Sequence, residues 1–312
     1  MMRVEAYEPA HRERWDRLVS DAKNGTFLFE RGYMDYHSDR FSDLSLLVLE
    51  GDELVGVLPA NRVGDRIESH GGLTFGGLLT RPRTKTTAIL TMFDVIREYL
   101  GAAGIREMLY KAVPHIYHRV PAEEDLYALF RHGARLVRRD LSVAVSAAQR
   151  PALAPLRRRC IRRARQNGLV VASSRNFTAF MKIVRDNLRL RHGVEPVHSS
   201  AEIELLAERF PSNIKLFTVT RRSQILGGVL IYESSLVAHV QYVGSTPDGR
   251  ALGGIDLVYE HLLKHYADKP WFDFGKSTDK EGLSLNSGLI DYKEGFGARG
   301  IAYDFYELRV AE

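Results

Sequence analysis

The stretch Val237-Ala238-His239-Val240-Gln241-Tyr242-Val243-Gly244-Ser245-Thr246-Pro247-Asp248-Gly249-Arg250-Ala251-Leu252-Gly253-Gly254-Ile255 decides the fold class. Residues 236–243 read as a strand, and Pro247 and Gly249 end it. A glycine-bearing loop, 244–254, then leads into a helix with one apolar face: Ile255, Val258, Tyr259, Leu262 and Tyr266. Two strands precede this unit, 215–220 and 225–232, around the turn Arg221-Arg222-Ser223-Gln224, and a short strand, 271–275, follows it. The same order occurs earlier in the chain. A hairpin, 44–49 and 54–60, turns at Gly51-Asp52; a glycine-dense stretch, 69–78, a helix, 85–100, and a strand, 107–113, follow. A helix over 9–22 precedes them, with Trp15, Leu18 and Val19 on one face. A repeated architecture decides a fold. This one predicts a mixed α/β (α+β) chain of two tandem units, 1–150 and 151–312, joined by an arginine-rich helix. The alternative is one large α+β domain whose hairpins resemble each other by chance.

Working outward, 312 residues with 45% hydrophobic and 27% charged composition exclude a disordered, collagen-like or solenoid chain. The formal net charge is +5, but Arg157, Arg158, Arg159, Arg162, Arg163 and Arg165 fall in one segment; removing these six leaves −1. Such a balance does not fit a protein that coats duplex DNA. Cys160 is the single cysteine, so no intramolecular disulfide forms. No Cys/His spacing suits zinc, and Pro196 prevents a helical metal pair from His192 and His198; no metal is expected. Without an apolar leader or a run of ~18–20 apolar residues, the expected location is the cytoplasm, with peripheral membrane contact open.

Gly253 and Gly254 let backbone approach a ligand, and the first N–H groups of the following helix suit an anion such as a phosphate. The bland alternative is a plain turn. With Arg250, this stretch resembles the pyrophosphate-binding motif of the GNAT acyltransferase superfamily, with Ile255 where the family carries Gly or Ala. Phe272-Asp273-Phe274-Gly275, then Ser277-Thr278, Leu285-Asn286-Ser287-Gly288-Leu289-Ile290 and Lys293-Glu294-Gly295-Phe296-Gly297-Ala298, resemble the Fem-like branch of that superfamily. The resemblance implies two tandem GNAT-like domains, the second holding the donor. It implies transfer of an acyl group from acyl-CoA to an amine on a cell-envelope saccharide or precursor. Aminoacyl-tRNA as donor to a peptidoglycan precursor is the alternative within the class.

In such enzymes an amine attacks a carbonyl held against a splayed central strand, here 236–243. Period-two alternation puts His239 and Gln241 on one face and Val240 and Tyr242 on the other. His239 suits a general base, Asp273 an orienting or accepting carboxylate, and Lys293 a contact to acceptor phosphate or developing negative charge. Each has a structural alternative: an interior histidine, a carboxylate paired with arginine, a surface lysine. Val243, Gly244, Arg250, Gly253 and Gly254 are the expected donor contacts. Gln241, Arg158, Arg162, Lys111 and Tyr117 are the expected acceptor contacts. Arg158, Arg162 and Arg165 share a helical face suited to a sugar nucleotide, a lipid-linked diphosphate, a tRNA acceptor stem or an anionic bilayer, unless it is only a solvated helix. From a different class comes the reading of a non-catalytic module binding nucleic acid or anionic lipid.

Overall fold

The computed structural model describes residues 1–310, with His192 described by its backbone alone. The chain forms two compact units. Unit 1 comprises Met1–Leu141, Thr278–Ser284 and the end of the chain from Ala302; unit 2 comprises Ser142–Ser277 and Leu285–Ile301. The boundary thus falls at 141/142, and the C-terminal third contributes to both units.

In unit 1 the elements are β1 (Met2–Ala6), α1 (Arg12–Asp21), α2 (Arg31–Met34), β2 (Ser42–Asp43), β3 (Leu46–Glu50), β4 (Glu53–Leu58), β5 (Asn61–Val63), β6 (Arg66–Glu68), β7 (Leu79–Thr80), α3 (Thr86–Ala102), β8 (Glu107–Lys111) and α4 (Glu124–Arg131). Strand β9 (Arg135–Ser146) begins there and ends in unit 2. Strands β1, β3, β4 and β7 form an antiparallel sheet. Helix α3 buries Ile89, Met92, Phe93, Ile96 and Leu100, the spacing of a single helical stripe, against Leu46, Val48, Met108 and Tyr110.

Unit 2 contains α5 (Pro155–Gln166), β10 (Val170–Ser174), α6 (Phe177–His192), α7 (Ser200–Arg209), β11 (Ile214–Arg221), β12 (Gln224–Glu233), β13 (Val237–Ser245), α8 (Pro247–Leu252), α9 (Gly254–His265) and β14 (Trp271–Lys276). After β15 (Thr278–Asp279) and β16 (Ser284–Leu285) come α10 (Ser287–Glu294) and β17 (Arg299–Arg309). The β11–β12 hairpin turns on Arg222 and Ser223, both with positive φ, which matches the right-handed twist of its strands. A side chain added at Gly227 would meet Ile255 of α9, and one added at Gly228 would meet Phe180 of α6. Successive strand residues point to opposite faces, so α9 covers one face of β12 and α6 the other. This explains why β12 is apolar along almost its whole length.

Two sequence expectations change here. The glycine loop contains a helix: Pro247 opens α8, and the Thr246 hydroxyl caps it by accepting from the Gly249 N–H at 3.1 Å. The arginine-rich helix is α5, and it belongs to unit 2 instead of joining the units.

Candidate active site

Strand β13 pairs with β12 along its length. It pairs in parallel with β14 only at Val237–Trp271, Ala238–Phe272 and His239–Asp273, and there the two strands part. On the other side of β14, Asp273 lies opposite Ala144 of β9. Ser142, two residues before Ala144, therefore shares the face of Asp273. His239, Asp273 and Ser142 form one row across three strands.

The row is hydrogen-bonded throughout. Ser142 Oγ donates to Asp273 Oδ1 at 2.6 Å, the Gly275 N–H donates to the same oxygen at 2.9 Å, and His239 Nδ1 lies 2.8 Å from Oδ2. Asp273 is fully buried (0% exposed). An isolated carboxylate there would be strongly disfavoured, and these donors are what allow it to stay charged. A carboxylate only accepts, so the proton of the pair sits on Nδ1, and Nε2 carries the lone pair. The imidazole keeps 14% of its surface, which leaves Nε2 as the nitrogen open to a ligand. Phe272 and Phe274 point the other way, into a cluster with Tyr259 and Phe296.

Gly275 has φ +76°, and a Cβ there would lie 3.7 Å from His239 Cε1. A side chain would be strained in that conformation, with its Cβ in ordinary contact with the imidazole. Lys293, on α10, secures this turn: Nζ donates to Gly275 O at 2.8 Å, Lys276 O at 2.7 Å and Ser277 Oγ at 3.0 Å. Burial lowers its pKa to about 8, although Asp273 favours the charged form. An ammonium has three N–H groups, and all three are engaged. The expected contact of Lys293 to phosphate or oxyanion therefore has no donor left; the side chain braces the turn instead.

Strict alternation along β13 does not hold. Leu230 faces Tyr242 and Ile231 faces Val240, so Gln241 is the extra residue of a β-bulge. Leu230 and Ile231 are successive and point to opposite faces, so Tyr242 and Val240 also do. Tyr242, expected on the far side, comes to the face of His239, and its hydroxyl holds His198 Nδ1 at 2.8 Å and accepts from the His198 N–H. Burial pushes the Tyr242 hydroxyl up to about 12. Beyond the bulge, the Ser245 N–H turns away from β12 to donate to Asn187 Oδ1 at 3.0 Å. By alternation the N–H and C=O of Val243, whose side chain is exposed, face the same way, along the free edge of the splay.

The other expected donor contacts are placed differently. Gly244 is buried against Val184, and the exposed Arg250 donates from Nη1 to Ser245 O at 2.6 Å. Gly253 has φ +80°, and a Cβ there would lie 2.6 Å from Cys160 O of α5; at Gly254 it would lie 3.1 Å from Gly249 O. These glycines serve close packing. In the first turn of α9 the buried Asp256 carboxylate accepts from its own N–H, pairs with Arg157 at 2.7 Å and takes the Tyr292 hydroxyl at 3.3 Å. Burial raises this carboxyl against the pull of Arg157. Of the first N–H groups of α9, that of Asp256 is taken by its own carboxylate. Arg157 also stacks over Tyr292 at 4.5 Å, and Arg165 pairs with Glu260, whereas Arg158, Arg159 and Arg162 are exposed without an acid partner among the described residues.

Lys111 and Tyr117 belong to unit 1 and are no part of the His239 row. Lys111 is buried, with Nζ donating to Leu73 O and burial lowering its pKa to about 8; Tyr117 lies against Tyr303, hydroxyl to hydroxyl at 3.4 Å. Among the described residues there is no group of three or more His, Cys, Asp or Glu placed to hold a metal, and no helix long and apolar enough to cross a membrane. Ser142 is the site residue that sequence reasoning missed. A serine in a strand carries no signal until its register against Asp273 is known.

Residues 157–294 match the sequence model of the acetyltransferase (GNAT) domain. No curated protein matches the chain in sequence. Among solved structures, FemX is similar in fold, with 13% identity, a TM-score of 0.65 and coverage of 96% of both chains. L-PGS from Bacillus licheniformis is similar at 11% identity and a TM-score of 0.63, covering 97% of this chain and 92% of that one. A tandem GNAT protein from the clavulanic acid biosynthesis pathway is similar at 11% identity and a TM-score of 0.52, covering 100% and 99%. At these identities the shared property is the mixed α/β fold.

Proposed function

We propose, from the premise that residues 157–294 are a GNAT acetyltransferase domain, that this chain transfers an acyl group from an activated carrier to an amine with His239 as general base. The observation that carries this reading is the His239–Asp273 pair at the point where β13 and β14 part, with Nε2 left open. The acyl carbonyl lies along the free edge of β13, its oxygen taking the Val243 N–H. The amine attacks the carbonyl carbon, the C–N bond forms, and Nε2 takes the amine proton. The bond to the carrier then breaks, and the proton passes from Nε2 to the leaving sulfur or oxygen. Asp273 holds the productive tautomer and stabilises the imidazolium between the two transfers. The acceptor is an amino group on a cell-envelope saccharide or its precursor, with Arg158 and Arg162 as contacts for phosphates of that precursor.

Acyl-CoA is the donor this domain type suggests. A second reading, aminoacyl-tRNA, gains from two observations. A buried acid, Asp256, stands in the first turn of α9 where a diphosphate would be held, and the unpaired guanidinium groups of α5 suit an RNA backbone. Assays with acetyl-CoA, longer acyl-CoAs and charged tRNA, each with an aminosugar acceptor, separate the two. His239→Gln should lower kcat by about 10²–10⁴-fold with the donor KM little changed. An unchanged kcat removes His239 from the chemistry. Salt-sensitive binding of RNA or lipid with no transfer from any donor would favour the non-catalytic module.

A further inference from the structure

We infer that Ser142 is a positioning residue for His239, acting through Asp273. The inference deepens the reading of His239 as general base and rests on it. A carboxylate turns about its Cβ–Cγ bond in a broad two-fold well, so a single partner does not fix which oxygen faces the imidazole. Here Oδ1 takes two donors, the Ser142 hydroxyl and the Gly275 N–H, and Oδ2 is left for Nδ1. The two donors come from different strands, Ser142 from β9 and Gly275 from β14 itself. Ser142 is 1% exposed and Asp273 0%, so bulk water does not replace the hydroxyl when it is removed. Asp273 faces Ala144 of β9, and Ser142, two residues before Ala144 on the same face, reaches the carboxylate diagonally across the ladder.

Without the hydroxyl the carboxyl plane is less fixed, so the imidazole loses its single tautomer.

The test compares the full chain with Ser142→Ala and Ser142→Cys, after circular dichroism shows that both fold. Two-dimensional ¹H–¹⁵N spectra of the histidine rings give the tautomer of His239, assigned with His239→Gln. Ser142→Ala should show both tautomers. Steady-state transfer should show kcat about tenfold lower with the KM for either substrate within about twofold. Ser142→Cys, a weak donor of similar size, should fall between. A wild-type tautomer in Ser142→Ala would overturn the inference. A shifted tautomer with undiminished kcat would instead overturn His239 as the base, so the two failures are told apart.

Discussion

Replacing Lys293 with methionine separates bracing from chemistry. The methionine fills similar volume but withdraws three hydrogen bonds from Gly275 O, Lys276 O and Ser277 Oγ. Bonds from a charged donor contribute about 1.5–3 kcal/mol each. Some of this returns because the ammonium no longer has to be buried, so a net loss of roughly 2–4 kcal/mol at pH 7 is expected. The pH dependence of that loss is the sharper quantity. Burial holds the Lys293 pKa at about 8 in the fold against 10.5 in the unfolded chain. Between those values the unfolded chain binds more protons, so wild-type stability rises with pH through the window. At about 1.4 kcal/mol per unit, the rise attributable to Lys293 between pH 7 and 10 is about 2.5 kcal/mol. The variant lacks it, so the gap between the two proteins should widen by that amount. Lys111 has a similarly lowered pKa, but it is common to both proteins and cancels. Urea melts at pH 7, 8, 9 and 10, followed by far-ultraviolet circular dichroism and the emission of Trp15 and Trp271, give the gap directly. A gap that stays constant, or narrows as pH rises, refutes the assignment of a depressed, hydrogen-bonded ammonium at this position.

Two further substitutions test the packing around α9. Gly253→Ala places a methyl group 2.6 Å from the Cys160 carbonyl at φ +80°; thermal melts should show a loss of about 2–4 kcal/mol, and a neutral effect would mean that α5 does not press on this turn. Arg157→Met leaves Asp256 buried without its cation, which should lower stability by about 3 kcal/mol at pH 7. The Asp256 carboxyl, already raised by burial, rises further and is neutralised as pH falls, so the penalty should shrink toward pH 5. A penalty independent of pH would place the loss in stacking over Tyr292 instead.

Much of the framework is legible without coordinates. Hairpins expected at 44–49/54–60 and 215–220/225–232 appear as β3–β4 and β11–β12, because alternating apolar runs around short polar turns determine pairing locally. The helix expected at 85–100 is α3, Thr86–Ala102, and the strand at 271–275 is β14. What depends on register is not legible. The bulge at Gln241 is invisible in composition, yet it moves Tyr242 to the face of His239. Ser142 meets Asp273 only through the pairing of β9 with β14, across a separation of 131 residues. The six arginines read as one uncompensated patch because Asp256 and Glu260 lie far along the chain; folding brings those acids to Arg157 and Arg165. The glycine pair after Arg250 reads as a ligand grip because a glycine's reason is hidden until its neighbour, here the Cys160 carbonyl, is known.

The bracing of Lys293 also bears on self-protection. A primary amine with a pKa near 8 would be an excellent nucleophile toward a thioester or an activated ester, and any protein that handles such compounds risks modifying its own lysines. At neutral pH this nitrogen is buried and mostly protonated, its three hydrogens drawn into Gly275 O, Lys276 O and Ser277 Oγ, so little of it has a lone pair within reach of such a compound. The turn that seats the imidazole thereby passivates the amine beneath it.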